Sequence, residues 1–515
     1  MKGLDVIELS LFAQRVSAVC DEMGAQLRHA AFSPNIRDRL DYSCALFDAS
    51  GGLIAQAAHI PVHLGSMAHA MASIVSRFDW REGDQVIFND PYLGGTHLPD
   101  VTLVAPVFSA GRLMAFVANR AHYADIGSIA PGSMPLTSSL RDEGVLLPPQ
   151  KLVRAGRIDD EILQSIVRST RSPDDTRGDV HAQLGCNRRG VSRLVGLLES
   201  MGMEGFSTAV AALNRYAESL ARSLLSTIPA GRYTAVDFIE DDGQGHTDLP
   251  IQIGIEVDAQ RIAIDFSGTS VQVPGNVNCP FAVTVAAVWY VLRCLMPPQT
   301  PNCAGCFRPI HIDAPEGSLV NAVAPAAVAA GNVETSSRIV DVMLRALAPA
   351  LPDRIPASSQ GTMNNFAFGA DGGERRWGYY ETIGGGMGAG PRSDGLSAVQ
   401  SHMTNTRNTP IEVLEMRYPV RITRYGVRRG SGGAGRYRGG DGIVRQFEFL
   451  TPAVCTLLTE RRRRPVPGLD GGEDGQPGGN RLGERLLPAK CSVSIDAGER
   501  VTIETPGGAG WGRAS

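Results

Sequence analysis

Between Asn89 and Asp125 the chain reads NDPYLGGTHLPDVTLVAPVFSAGRLMAFVANRAHYAD, and four side chains in it could hold a metal: His97, Asp100, His122 and Asp125. Imidazole nitrogens and carboxylate oxygens together make a mixed donor set that suits zinc, manganese or ferrous iron. Any one of the four, taken singly, is better explained as a solvated loop residue or a capping group, so their convergence is what carries the reading. His97 and Asp100 cannot share a helical face, because Pro99 between them fixes its own φ and lacks an amide hydrogen. Both must project from a loop that enters the strand after them.

A β-hairpin would bring the four together. Residues 101–108 and 113–119 are apolar, strand-like runs, and Ser109-Ala110-Gly111-Arg112 between them supplies a tight reversal. With 109 facing 112, paired positions sum to 221, which sets Asp100 beside Ala121 and His122. A slightly longer loop would put Asp100 directly opposite His122. A second hairpin is predicted upstream, where 43–47 and 53–56 flank the turn 48–52. Its pairs sum to about 101, so Asp41 falls opposite Ile60 and next to His59. We expect the two hairpins to join at their open ends, bringing Asp41 to His97, Asp100 and His122. For His59 and His63, ligation and an ordinary hydrogen bond to loop backbone are equally good readings. His69, in a helical pattern over 66–78, is expected to be exposed.

The elements that position this site are readable in outline. Apolar spacing predicts an amphipathic helix over 5–31, a helical layer over 160–225, and strands over 233–240, 249–257 and 261–266. Buried or capped helices follow at 281–296 and 331–348. The loop YYETIGGGMGAGP (379–391) lacks the Lys-Ser/Thr of a phosphate-binding P-loop and no strand and helix flank it as a dinucleotide site requires. It reads as a close-packed turn lining a cavity, with Glu381 and the polar run 401–410 beside it. The fold class expected is α+β, with mixed and antiparallel hairpin sheets, packed helices, several subdomains and a β-rich C-terminal half. Four regions are drawn: 1–155 with the metal-binding hairpins, 156–230 helical, 231–411 β-rich with buried helices, and 412–515 Gly-rich.

Composition limits the function. The net charge of −4, and a basic run at 461–464 that is followed by Asp470, Glu473 and Asp474, exclude a nucleic-acid footprint. The nine cysteines form no framework and Cys303/Cys306 is a lone CxxC, which fits thiols in a reducing cytosol. Asp5, Glu8 and Arg15 interrupt any secretion signal, and the apolar stretch 281–296 is too short to span a bilayer and contains Arg293. A cytoplasmic protein without membrane contact is expected.

Several long stretches in order resemble the hydantoinase B and oxoprolinase family, which also supplies a subunit of acetone and acetophenone carboxylases. They are HIPVHLGSM (59–67), NDPYLGGTHLPDVTLVAPVF (89–108), GNVETSSRIVD (331–341), YYETIGGGMGAGP (379–391) and SHMTNTRNTPIEVLE (401–415). The resemblance implies the metal-bearing subunit of an ATP-dependent hydrolase that opens hydantoin, oxoproline or lactam rings. A partner of hydantoinase A type, with an actin-like ATPase fold, would use the ATP and phosphorylate the substrate. It also implies a hetero-oligomer such as a dimer of heterodimers. The family's metal ligands resemble Asp41, His97 and His122 here, with Asp100 as a further ligand or a supporting acid, for zinc or manganese and, as a third choice, iron. Asp100 or Asp125 would then serve as general base, with Glu381 as a weaker candidate. Carboxylase relatives carry an extra histidine where this chain has Gly95, which favours the hydrolase branch. The alternatives are the matching subunit of an ATP-dependent ketone carboxylase, and a scaffold subunit whose metal does no chemistry.

Overall fold

The structure, a computed structural model, describes residues 5–57, 60–372 and 376–514. Helix α1 (Val6–Ala30) starts at a capping box made by Asp5 and Glu8 and buries the stripe Phe12, Val16, Val19, Met23 and Leu27. A single turn, α2 (Pro34–Arg37), leads to the first hairpin, β1 (Tyr42–Asp48) and β2 (Leu53–Gln56). Its pairs Ala45↔Gln56 and Leu46↔Ala55 have the register expected from the sequence. Helix α3 (His63–Ile74) follows, with His69 exposed, and then β3 (Gln85–Phe88), β4 (Asp100–Ser109), β5 (Arg112–His122), β6 (Gln150–Arg154) and β7 (Arg157–Ile158).

These strands form one antiparallel sheet in the order β2-β1-β5-β4-β3-β6-β7. The two hairpins therefore lie side by side, β1 against β5. The β4–β5 turn begins at Ser109↔Arg112, but the register shifts beyond Phe108↔Leu113, and Val107 pairs with Ala115. This irregularity within the strands, and not a longer loop, sets Asp100 directly opposite His122. Side chains of β5 alternate as a strand requires. Asn119 and Tyr123 reach α5 (Pro173–Met201), bonding to Asn187 and Gln183, while Arg120 bonds to Ser66 of α3 on the other face. Thr102, Asp100 and His122 share the face of Arg120 by register.

The helical layer is α4 (Asp160–Arg168), α5 and α6 (Met203–Leu225). A second sheet, in the order β11-β10-β9-β8, comprises β8 (Gly231–Asp241), β9 (Thr247–Val257), β10 (Ile262–Asp265) and β11 (Ile310–Asp313); β10 and β11 are parallel. Helix α7 (Phe281–Leu295) is buried as expected. The segment predicted as one helix over 331–348 is two pieces, a π turn at Gly331–Thr335 and α8 (Ser336–Leu347). One continuous apolar core joins all of these elements.

The remaining strands are β12 (Asn365–Ala370), β13 (Trp377–Glu381), β14 (Val420–Arg428), β15 (Gly442–Phe449), β16 (Ala453–Leu458), β17 (Gly479–Leu482), β18 (Arg485–Leu487), β19 (Lys490–Ile495) and β20 (Arg500–Glu504), with α9 (Ile411–Arg417) before β14. They build the sheets β13-β12-β16-β19 and β14-β15-β20-β17-β18 around a second core that includes Phe366, Phe368 and Phe447. The fold is thus α+β. The 379–391 loop packs backbone to backbone on the C-terminal segment: Gly386 N–H donates to Pro506 O at 3.0 Å, and Ala389 N–H to Ala509 O at 2.9 Å. A Cβ on Gly386 would lie 2.0 Å from Gly508 N, so only glycine fits there. Among the described residues no helix is long and apolar enough to cross a membrane.

Candidate metal centre

His97, Asp100 and His122 meet, fully buried, where the loop before β4 and the end of β5 come together. His97 Nε2 lies 3.2 Å from His122 Nδ1 and 3.4 Å from Asp100 Oδ1, and His122 Nδ1 lies 3.2 Å from Asp100 Oδ1. Four donors about 2.0–2.1 Å from a tetrahedral ion are separated by about 3.3–3.4 Å, so this triangle has the edge lengths of such a site. The bonding around it is incomplete in the same place. Asp100 Oδ1, His122 Nε2 and Asn332 Oδ1 are buried without hydrogen-bond partners. The donor set and its bare atoms fit a divalent cation.

The surrounding groups fix each donor. His97 Nδ1 lies 3.2 Å from Ala329 O; donating a proton there leaves the Nε2 lone pair facing inward. Asp100 Oδ2 is held by His63 Nε2 at 3.2 Å and by the Thr96 hydroxyl, while His63 Nδ1 contacts Ser43 Oγ at 3.0 Å. Burial raises the Asp100 pKa, but the charges of His97 and His63 and hydrogen bonds from the imidazoles outweigh it and hold the carboxyl well below its usual range. For His97 burial works downward, and Asp100 overcomes it, raising the pKa. For His122 burial prevails and lowers it.

A cavity of about 20 Å³ adjoins these groups, lined also by Asp41, His63, Asn332, Met363, Tyr380 and Thr404. It has room for about one water. Asp41 arrives through the β1–β5 pairing, its carbonyl accepting from His122 N–H at 3.0 Å, and its carboxylate lies 3.9 Å from the Arg39 guanidinium. The Tyr380 ring stacks on His122 with centroids 5.0 Å apart and planes 17° from parallel.

Two sequence candidates, Asp125 and Glu381, lie elsewhere. Asp125 engages both oxygens elsewhere, accepting from Gly127 N–H, Ser133 Oγ and the Arg171 backbone, and pairing with the Arg171 guanidinium at 3.4 Å. Glu381 follows Tyr380 on β13 and faces the other way, paired with Arg445 at 2.7 Å. His59 lies outside the described residues. Conversely, Asn332 and Tyr380 belong to the site but were not picked out as site residues, although both fall in stretches, 331–341 and 379–391, that stood out as motifs.

The family profile described as hydantoinase B/oxoprolinase matches residues 5–514. The chain belongs to the hydantoinase B/oxoprolinase family. Within it, 5-oxoprolinase 1 of Arabidopsis thaliana is 40% identical over 99% of this chain, and the B-type subunit of a putative D-/L-hydantoinase from a Pseudomonas species is 30% identical over 99% of this chain and 90% of its own length. This hydantoinase B/oxoprolinase chain spans about two fifths of the length of the 5-oxoprolinases it matches, 42% and 40% for two of them. The solved structure of an ATP-dependent caprolactamase from Pseudomonas jessenii superposes with a TM-score of 0.93 at 28% identity, covering 99% of this chain and 92% of that one. An acetone carboxylase shares the fold, with a TM-score of 0.88 at 16% identity, covering 98% and 75%. The relatives named here at 28% identity or more are thus a 5-oxoprolinase, a putative hydantoinase subunit and an ATP-dependent caprolactamase.

Proposed function

We propose that this chain is the metal-bearing part of an ATP-dependent cyclic-amide hydrolase, working on an intermediate that a partner ATPase of hydantoinase A type has activated. The observation that carries the proposal is the buried triangle of His97, Asp100 and His122, with edges of 3.2–3.4 Å, an unpartnered Asp100 Oδ1 and a small cavity beside it. His97, Asp100 and His122 would hold a zinc, manganese or ferrous ion, with Asp41 at the cavity wall as a further donor or general base. Such an ion supplies a hydroxide nucleophile near neutral pH and polarises a carbonyl.

The chain's own groups do the rest. Ala329 O sets the His97 tautomer, His63 and Thr96 occupy one oxygen of Asp100 and leave the other for the ion, and the Tyr380 ring keeps bulk water off His122. Asp125 and Glu381 stay out of this set because their oxygens are already engaged. Amide resonance makes lactams poor electrophiles, and no P-loop lies in the sequence, so ATP use falls to the partner, in a cytoplasmic hetero-oligomer such as a dimer of heterodimers. Relatives that are hydrolases of this class, at 28–40% identity, favour ring opening over ketone carboxylation, for which only a fold likeness speaks.

The test is to purify the chain alone and with its ATPase partner, and to supply ATP with 5-oxoproline, hydantoin, caprolactam, or a ketone plus labelled bicarbonate. Ring opening by the pair, lost on chelation, is the expected result. Full turnover by the chain alone, or label fixed into a ketone, would overturn the reading.

A further inference from the structure

Asn332 is placed by an irregularity that the sequence pattern hides. The helix that continues as α8 begins with a π turn over Gly331–Thr335, and the extra residue of such a turn re-aims side chains, which is why π turns gather at functional sites. The turn is locked in position. Gly331 N–H donates to Asn276 O at 3.0 Å, and a Cβ on Gly331 would lie 1.8 Å from Asn278 O, so no other residue fits. Asn332, buried and on the cavity wall, thus reaches the metal centre although it lies more than 200 positions away in sequence.

Its amide is half used. Nδ2 lies 3.2 Å from His97 Nε2, the atom whose lone pair faces inward because Nδ1 is committed to Ala329 O, so an N–H donates there. Oδ1 accepts nothing, although it is buried. A buried amide carbonyl left bare costs about 1–3 kcal/mol. The arrangement also conflicts with cation binding, since a cation on His97 Nε2 takes the lone pair that the N–H needs and repels the N–H itself.

We propose that Asn332 is the neutral oxygen donor of this metal site. When a divalent ion takes the Nε2 lone pair, the side-chain amide turns over, bringing Oδ1 to the ion and the two Nδ2 hydrogens to the cavity side where Oδ1 now stands bare. There they donate to the one water the cavity can hold. A side-chain amide oxygen is a hard donor suited to divalent ions, and rotation about the last torsion achieves the exchange without moving the backbone. This inference rests on the metal-centre reading above and adds a ligand and a water-orienting role to it.

The experiment uses the full chain loaded with Co²⁺, reading metal affinity by chelator competition and the visible spectrum of the bound cobalt. Asn332→Ala is expected to lower metal affinity about 10–100-fold and to shift the cobalt spectrum. Asn332→Asp, which keeps an oxygen and the side-chain shape but has no N–H, should retain metal. If Asn332→Ala matches the unaltered chain in affinity and spectrum, or binds metal more tightly, or if Asn332→Asp loses metal, the assignment is wrong while the metal centre stands. If the unaltered chain takes up no divalent ion, the metal-centre reading and this inference fall together.

Discussion

Asp100 and Glu381 are both buried carboxylates, at 1% and 0% exposure, yet they are buried in opposite ways. Glu381 has both oxygens answered: Arg445 donates to Oε1 at 2.7 Å and to Oε2 at 3.1 Å, and Tyr379 Oη and Asn408 Nδ2 each lie 3.0 Å from Oε2. Asp100 has one oxygen held by His63 and Thr96, and the other bare with two imidazole nitrogens 3.2–3.4 Å away. A closed set of partners holds strands together and asks for nothing more. The open set, in which desolvated donors converge on empty space without bonding one another fully, is the arrangement that needs a cation. Adjacent residues of one strand, Tyr380 and Glu381, serve the two clusters, so the difference comes from the pleat and not from distance along the chain.

The largest effect that would break this comparison is at Asp100. Asp100→Asn removes the only anion of the triangle, and we expect the divalent ion to be lost on dialysis, a weakening beyond the roughly 10–100-fold typical of a group that only orients a ligand. Elemental analysis decides it; full metal retention would mean the triangle is not the site. Next is Glu381→Leu, which leaves the Arg445 guanidinium buried without its counter-charge. We expect about 3–5 kcal/mol of lost stability, with metal content unchanged. Adding Arg445→Met should restore much of that loss. Metal loss in Glu381→Leu with stability intact would reverse the roles assigned to the two carboxylates.

A smaller effect is expected at His63, which holds Asp100 Oδ2, the oxygen that is not a corner of the triangle. His63→Ala should weaken metal binding about 10–100-fold, and chelator competition on the folded variant measures it. An unchanged affinity would make His63 a packing residue only.

How much of this was legible in the sequence follows from how far apart the partners lie. The two hairpins came from local patterning, and with them the meeting of Asp100 and His122; the irregularities near Phe47 and Phe108 were invisible, because each changes the count by one. The placing of Asp41 beside His122 needed one further step, the pairing of β1 with β5. Asp125 and Glu381 were read as site acids because their counter-ions, Arg171 and Arg445, are 46 and 64 positions away and carry no spacing signal. Asn332 was missed for a similar reason: a π turn and an α-turn share one residue pattern. The glycines of 384–390 were seen as tight packing, but their partners, Val399 for Gly384, the 506–508 backbone for Gly385 and Gly386, and Ala357 for Gly388, could not be inferred from composition.

A third buried carboxylate sharpens the comparison through pH. Asp179 of α5 is 2% exposed and makes no ion pair among the described residues; its Oδ1 accepts from the backbone N–H groups of Phe32 and Ser33, at 2.8 and 3.1 Å. Burial outweighs these neutral donors and pushes its pKa up to about 6 from 3.8. A carboxyl whose folded pKa is raised contributes stability that is fully present below its unfolded pKa and is lost as pH rises through the folded one. The unaltered chain should therefore lose about 1 kcal/mol of this contribution between pH 5 and pH 8. Asp179→Asn cannot titrate and keeps an oxygen for the two N–H groups, so its stability relative to the unaltered chain should rise by the same amount over that interval. Unfolding midpoints of the two proteins at the two pH values give the difference directly. A gap that does not change with pH would mean that Asp179 is already ionised at pH 5, and that neutral donors alone can hold a buried carboxylate as the guanidinium holds Glu381.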